Sequence, residues 1–335
     1  MPISTTTPVS RDNLLAQIAE PVAPQLAETE RRLEDLIPEQ FGGLMPIIYR
    51  HVLQAGGKRV RPMLALLSCS ATGGDPENCV NLAMAVEVLH LSSLIHDDVI
   101  DEANERRGRP SVRQQWGNRA SILVGDFLVA EVFRRLADDL GRQALGVLAQ
   151  RVSEMCRAEL VDPAEDLDQL SEARYFENIR GKTGALMSAA CEVGAIASDN
   201  EGARPLVASY GLNLGQAFQI VDDLLDLYGD PEALGKPVLQ DLQRGQWTLP
   251  VIHALASATP DEQAKLSDLL QQARHDALAA RAASDLAAEM GGRQYAAAYA
   301  QRLVSDALQA LSPLPDTPSK TSLAGLAQYV VQRQY

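Results

Sequence analysis

Residues 90–101 read HLSSLIHDDVID and residues 215–226 read GQAFQIVDDLLD. The pattern I-x-D-D-ϕ-ϕ-D, where ϕ is aliphatic, thus occurs twice, at 95–101 and 220–226, each time closing a long apolar stretch. At about 100° per residue, Asp97 and Asp101 fall on nearly one helical face a turn apart, as do Asp222 and Asp226. Each stretch is therefore read as a helix with a carboxylate pair at one end. In the first, Val86, His90, Ser93, Asp97 and Asp101 form a stripe within roughly 80° that runs from apolar to acidic.

The chain around these segments is Ala/Leu-rich, with polar residues on a period near 3.6 and few β-branched or aromatic runs, so helices dominate and no strand is expected. Short breakers separate helix-length pieces: Gly42-Gly43, Gly56-Gly57, Gly73-Gly74-Asp75-Pro76, Arg107-Gly108-Arg109-Pro110, Gly229-Asp230-Pro231 and Gly235-Lys236-Pro237. Residues 1–10 are expected to be disordered, and 311–320 (LSPLPDTPSK) form a Pro-rich connector to a last helix. No linker divides the middle. The expectation is one all-α domain over 1–335.

Among the 335 residues, 46% are hydrophobic, 22% charged and 4% aromatic, and Asp+Glu 44 against Lys+Arg 30 leaves a net charge of -14. Such a chain buries a large core without disulfide or metal staples. Its acidity argues against spreading on nucleic-acid phosphates or anionic lipid. The four cysteines, Cys69, Cys79, Cys156 and Cys191, form no C-x-x-C pair and read as core thiols of a reducing compartment. The N-terminus lacks signal-peptide features, and the most apolar segment, 82–95, is interrupted by Glu87 and His90. A cytoplasmic protein without stable membrane insertion is expected.

A single DDxxD reads as a solvated polar face; two at the ends of apolar helices do not. Carboxylates at this density repel one another unless a cation sits among them. Oxygen-only donors select a hard ion, and Mg2+ completes its shell with water and substrate phosphate oxygens. Candidate phosphate-binding cations lie in separate places. Gly56-Gly57-Lys58-Arg59-Val60-Arg61-Pro62 sets Lys58 and Arg61 one turn apart, Arg106-Arg107 follows the first cluster, Lys182-Thr183 lies in Gly181–Gly184, and Lys236 follows Asp226 by ten residues. Each alone would read as a surface cation. Together they fit two diphosphate sites, one reached through Mg2+ and one held directly by Lys and Arg. Gly181-Lys182-Thr183 is not a P-loop, since the earlier glycine is absent and no strand precedes it.

These residues resemble the trans-isoprenyl diphosphate synthases, or polyprenyl synthetases. The likeness runs from about Leu44 to Tyr335 through GGKRVRP (56–62), HLSSLIHDDVIDEANERRGRPSV (90–112), SILVGDFLVA (121–130), IRGKTGALMSAA (179–190), GQAFQIVDDLLDLYGD (215–230) and LGKPVLQDLQRGQWTLPVI (234–252). The resemblance implies an all-α helical bundle around a deep central cavity, usually a homodimer, that joins isopentenyl diphosphate to an allylic prenyl diphosphate. Position by position, Asp97 and Asp101 with Asp98 in support, and Asp222, Asp223 and Asp226, would bind about three Mg2+. Lys58, Arg61, His90 and Arg107 would hold isopentenyl diphosphate; Arg106, Lys182, Thr183, Gln219 and Lys236 would contact the allylic diphosphate.

Short-chain relatives typically carry an aromatic residue four or five positions before the first Asp, where this chain has Ser93 and Ser92. The resemblance therefore points to a product longer than C20, with a farnesyl or geranylgeranyl diphosphate synthase as the alternative. Two departures stand out: Gln246 replaces the usual Lys, and 156–162 (CRAELVD) departs from G-E-x-x-Q with Ala158 and Asp162. They motivate a second alternative, a regulatory subunit of a heteromeric synthase. A class I terpene cyclase is disfavoured by DDLLD, GGKR and His90.

Overall fold

The structure, a computed structural model, describes residues 11–160, 167, 170–234 and 237–332. The N-terminal ten residues, Asp162 and Lys236 lie outside the described residues. By clustering of its internal packing the chain divides into two compact units: Met1–Ala149, Ala189–Val207 and Pro313–Leu326 form one, and Gln150–Ser188, Ala208–Ser312 and Ala327–Tyr335 the other.

The first unit contains α1 (Arg11–Ala19), α2 (Ala23–Glu34), α3 (Met45–Gln54), α4 (Val60–Ala71), α5 (Val80–Ile100) and α6 (Val112–Arg135). Helix α5 packs against α2, α4 and α6. It is apolar on nearly every side, with Leu82, Val86, Leu89, Leu91 and Ile95 all buried, as a core helix must be. Pro76–Ile100 is the one described helical stretch long and apolar enough to cross a membrane, and most of it is buried inside the protein. The Ser92 hydroxyl donates to the Gly125 carbonyl at 3.0 Å, tying α5 to α6.

Helix α7 (Arg142–Glu159) leads from the first unit into the second, followed by α8 (Glu172–Ile179), a π-helical turn (Arg180–Gly184), α9 (Ala185–Ala197) and α10 (Arg204–Tyr228). Then come α11 (Pro231–Leu234), α12 (Gln240–Arg244), α13 (Leu249–Ser257), α14 (Pro260–Ala273), α15 (Ala277–Glu289), α16 (Gly292–Leu311) and α17 (Pro318–Val331). In the second unit α13 packs on α15 and α16, and α14 on α15. A capping box between Thr259 and Glu262 starts α14. The Pro-rich stretch joins α16 to α17, whose first residue is Pro318, a position where the missing N–H is not needed.

One element departs from the sequence reading. Glu105–Arg106 pairs antiparallel with Arg109–Pro110, a two-residue ladder where no strand was expected. Arg107 and Gly108 both take positive φ, 53° and 74°, which is the turn that matches strand twist in a two-residue hairpin.

Glu87, the charge that interrupts the apolar run of α5, is 3% exposed. It accepts from Arg59 Nη1 at 2.9 Å, and Arg59 also pairs with Glu30. Removing one partner strands a buried charge. Arg59→Met is therefore expected to lower stability by about 3 kcal/mol in urea denaturation, and adding Glu87→Leu to recover part of the loss.

Candidate active site

The first acidic cluster closes α5 in the first unit. Asp98 is buried at 3% exposure and accepts from Arg106 Nε at 2.9 Å and Nη2 at 2.5 Å. Burial raises its pKa and the Arg106 guanidinium opposes that rise. Asp97 and Asp101 are partly exposed. The hairpin returns Arg106 to Asp98, so the predicted allylic-site cation and the supporting aspartate are partners of each other.

The same hairpin turns Arg107 back over Gly57, where an added Cβ would stand 2.6 Å from the guanidinium. A larger residue there would have to displace the flexible end of Arg107. Arg61, Arg107 and His90 share one electrostatic neighbourhood with Glu87. Burial, then Arg107, lowers the pKa of the partly buried Arg61 while Glu87 raises it, and burial of part of the side chain lowers that of Arg107, which keeps exposed surface. The Arg61 Nε is buried without a hydrogen-bond partner. A desolvated guanidinium with an open donor is suited to an anion. Lys58, exposed, stands at the rim of this group in sequence. His90 is not fully buried, yet burial first, then Arg61, Arg107, Arg106 and Arg59, holds its pKa well below the usual imidazole value.

The second acidic cluster closes α10 in the second unit. Asp223 is 5% exposed, and both of its oxygens are occupied: the Tyr175 hydroxyl donates to Oδ2 at 2.6 Å and Gln219 Nε2 to Oδ1 at 2.9 Å. Burial, reinforced by Asp222 and Asp226, pushes its carboxyl up to about 7 against the pull of those two bonds. The Thr183 hydroxyl donates to Gln219 Oε1 at 2.8 Å. Asp226, 7% exposed, accepts from the amides of Gln240 and Asp241 at 3.1 and 3.0 Å and so caps α12. Asp222 is partly exposed. Lys182, in the π-helical turn, pairs with Glu159 at 2.9 Å.

The aspartates thus fall into two sets. Asp98, Asp223 and Asp226 are buried and hydrogen-bonded within the protein, whereas Asp97, Asp101 and Asp222 keep exposed surface. Of the candidate metal ligands, Asp98 and Asp226 are drawn away by Arg106 and by the start of α12. Ser92 is likewise taken up by packing on α6, while Ser93, partly exposed, donates to the His90 carbonyl at 2.9 Å. The donor set is carboxylate oxygen, which fits a hard divalent cation. No group of three or more His, Cys, Asp or Glu is preassembled among the described residues, and Mg2+ takes few protein ligands.

Glu87, Arg59 and Tyr175 were not singled out as site residues. For Glu87 the signal was present, because a carboxylate inside an apolar helix requires a cationic partner. Non-glycine positive φ marks the same regions: of five such residues described, Arg59, Glu102, Arg107 and Leu239 lie in or near the candidate segments.

A family profile described as Polyprenyl synthetase matches residues 44–286. "Heptaprenyl diphosphate synthase component 2" of Geobacillus stearothermophilus is 36% identical over 315 residues, 92% of this chain and 96% of the relative. "Geranylgeranyl diphosphate synthase" of Saccharolobus solfataricus is 33% identical over 316 residues, 90% and 94%. Among solved structures, a decaprenyl diphosphate synthase from Rhodobacter capsulatus superposes with TM-score 0.89 at 35% identity, covering 95% of this chain and 99% of its own. A polyprenyl synthase from Caulobacter crescentus CB15, complexed with calcium and isoprenyl diphosphate, gives 0.87 at 32% identity, with 99% and 100% covered. The chain belongs to the polyprenyl synthetase family. It has that family's all-α fold and is a prenyltransferase.

The depressed His90 pKa has a thermodynamic consequence. Below pH 6.5 the unfolded chain takes up a proton that the folded one refuses, so stability held above that pH falls as pH drops. Denaturation midpoints between pH 7 and 5.5 should decline less in His90→Gln than in the wild type.

Proposed function

We propose that this prenyltransferase condenses isopentenyl diphosphate head-to-tail with an allylic prenyl diphosphate, in a Mg2+-dependent reaction, to give an all-trans product longer than C20. The observation that carries the reading is the buried Arg61 Nε, which has no hydrogen-bond partner, in the unit whose α5 ends on the partly exposed Asp97 and Asp101; α10, in the other unit, ends on a second such motif with Asp222 partly exposed. Asp97, Asp101 and Asp222 are the direct metal ligands in this reading, with Asp98 and Asp226 in support. Bound Mg2+ supplies charge neutralisation to the departing diphosphate. The Caulobacter relative is complexed with calcium and isoprenyl diphosphate, which supports a divalent cation and a diphosphate as ligands of this chain.

The residues of the chain do the rest. Arg106, Lys182 and Lys236 hold the allylic diphosphate, Thr183 and Gln219 orient it, and Lys58, Arg61, His90 and Arg107 hold the isopentenyl diphosphate. Lys182 would exchange Glu159 for phosphate oxygen on binding, a stronger charge-assisted contact. Leaving-group stabilisation generates an allylic cation, which an apolar surround shields from water. The isopentenyl double bond attacks, and the departed diphosphate accepts the proton that is lost.

Chain length rests on α5. It continues below Asp97 to Val80, roughly 25 Å at 1.5 Å per residue, about five extended five-carbon units. Ser93, on the stripe of Asp97, is a small residue at the head of that path, which supports the longer product. Relatives include a geranylgeranyl synthase, so the shorter product is the competing reading. The relative called component 2 gives grounds for a second, in which the chain needs a partner subunit. We favour a homodimer acting in the cytoplasm as one domain. Phe41, Leu44 and Ile47 around α3, and Ile122 and Leu123 on α6, are 46% to 56% exposed, and α3 packs on α6, which supports a protein partner for this face.

Purified chain alone, with Mg2+, labelled isopentenyl diphosphate and farnesyl diphosphate, is expected to yield products beyond C20. Extracts holding only C15 or C20 would refute the length, and activity only with a second subunit would favour the heteromer. Asp97→Ala and Asp222→Ala should each reduce turnover far more than substrate association, and near-normal kcat in either refutes the ligand assignment.

A further inference from the structure

Tyr175 belongs to none of the recurring motifs, yet it makes the most buried polar contact of the second acidic cluster. Helix α8, which carries it, is fixed at several points. Ser171 caps its N-terminus, Glu172 accepts from the Tyr295 hydroxyl at 2.8 Å, and Phe176 stacks on Tyr299 with centroids 4.3 Å apart. Tyr175 itself is 8% exposed and lies edge-on to Phe176. The phenol is thus delivered to Asp223 from a platform locked by packing.

With the Gln219 carboxamide on the other oxygen, each Asp223 oxygen already accepts a hydrogen bond from within the protein. At 5% exposure it has no room for the hydrated shell that Mg2+ retains. Drawing Asp223 inward also fixes the rotation of the last turn of α10, and the 100° step to its neighbour leaves Asp222 on a more exposed face. Thr183 extends the chain of bonds through Gln219 to the turn that carries Lys182.

We propose that Tyr175 is a positioning residue of the second acidic cluster: it anchors Asp223 as an internal strut, not a cation ligand, and thereby sets how Asp222 is presented to the metal-diphosphate substrate. This rests on the reading above that Asp222 binds Mg2+.

The test is calorimetric titration of Mg2+ into the full-length protein with inorganic pyrophosphate, beside the Mg2+ dependence of turnover. Tyr175→Phe keeps the ring packing and removes only the hydroxyl. It is expected to weaken Mg2+ binding ~10- to 100-fold, the usual effect of losing a partner that orients a ligand, and to be rescued in kcat by excess Mg2+. Asp223→Asn keeps an acceptor for Tyr175, so the strut survives and Mg2+ affinity should fall less than in Tyr175→Phe, whereas a direct ligand would lose more. A role confined to fold stability would lower the melting temperature without moving the Mg2+ midpoint. Wild-type affinity in Tyr175→Phe overturns the proposal. So does loss of all binding in Asp223→Asn, which remains decisive if Tyr175→Phe does not fold. Wild-type protein that takes up no Mg2+ beside pyrophosphate overturns the functional reading itself.

Discussion

Carboxylates one helical turn apart cannot all keep their charge in a poorly hydrated place, and the site is organised around that repulsion. Each cluster removes one or two members from the contest. Asp98 is matched to Arg106, Asp223 to a phenol and a carboxamide, and Asp226 to the amides that open α12. Asp97, Asp101 and Asp222 keep exposed surface at the ends of their helices. The cationic group obeys the same rule with signs reversed. Glu87 and Glu30 pair with Arg59, while burial and then the neighbouring Arg107 lower the pKa of Arg61.

Much of this was legible in the chain. Helical periodicity and the absence of β-rich runs were enough for an all-α fold, because a helix writes its buried face into every turn. The placement of the paired aspartates toward the ends of α5 and α10 was legible because it depends on spacing within one helix. Features that depend on contacts remote in sequence were not. Ser92 and Ser93 look equivalent in the sequence, yet Ser92 is spent on Gly125 across the α5–α6 contact. Nothing in the stretch Glu105–Pro110 reads as strand; the ladder follows from two adjacent positive-φ residues, one of them an arginine. Tyr175 sits in an ordinary amphipathic helix and acquires its role from a residue forty-eight positions away.

The two departures from the family pattern acquire a setting. Glu159, inside the divergent segment, holds Lys182, and Ala158 offers its carbonyl to Asn178. Gln246 follows a left-handed Gly245 and donates its backbone amide to Asp241 at 2.8 Å, on the helix that Asp226 caps. Beside it the Trp247 indole N–H and the Thr248 hydroxyl are buried without protein partners. The position lost a charge but stayed coupled through backbone to the second cluster.

The separations along the chain also set the two clusters apart. The Asp98–Arg106 contact closes a loop of eight residues, while Tyr175–Asp223 closes one of forty-eight. By loop-closure entropy alone the longer contact is disfavoured by about 1.6 kcal/mol relative to the shorter. The Asp98–Arg106 contact is therefore local to one helix end and its hairpin, whereas Tyr175–Asp223 exists only where α8 and α10 meet, so it reports on long-range assembly that the first contact does not.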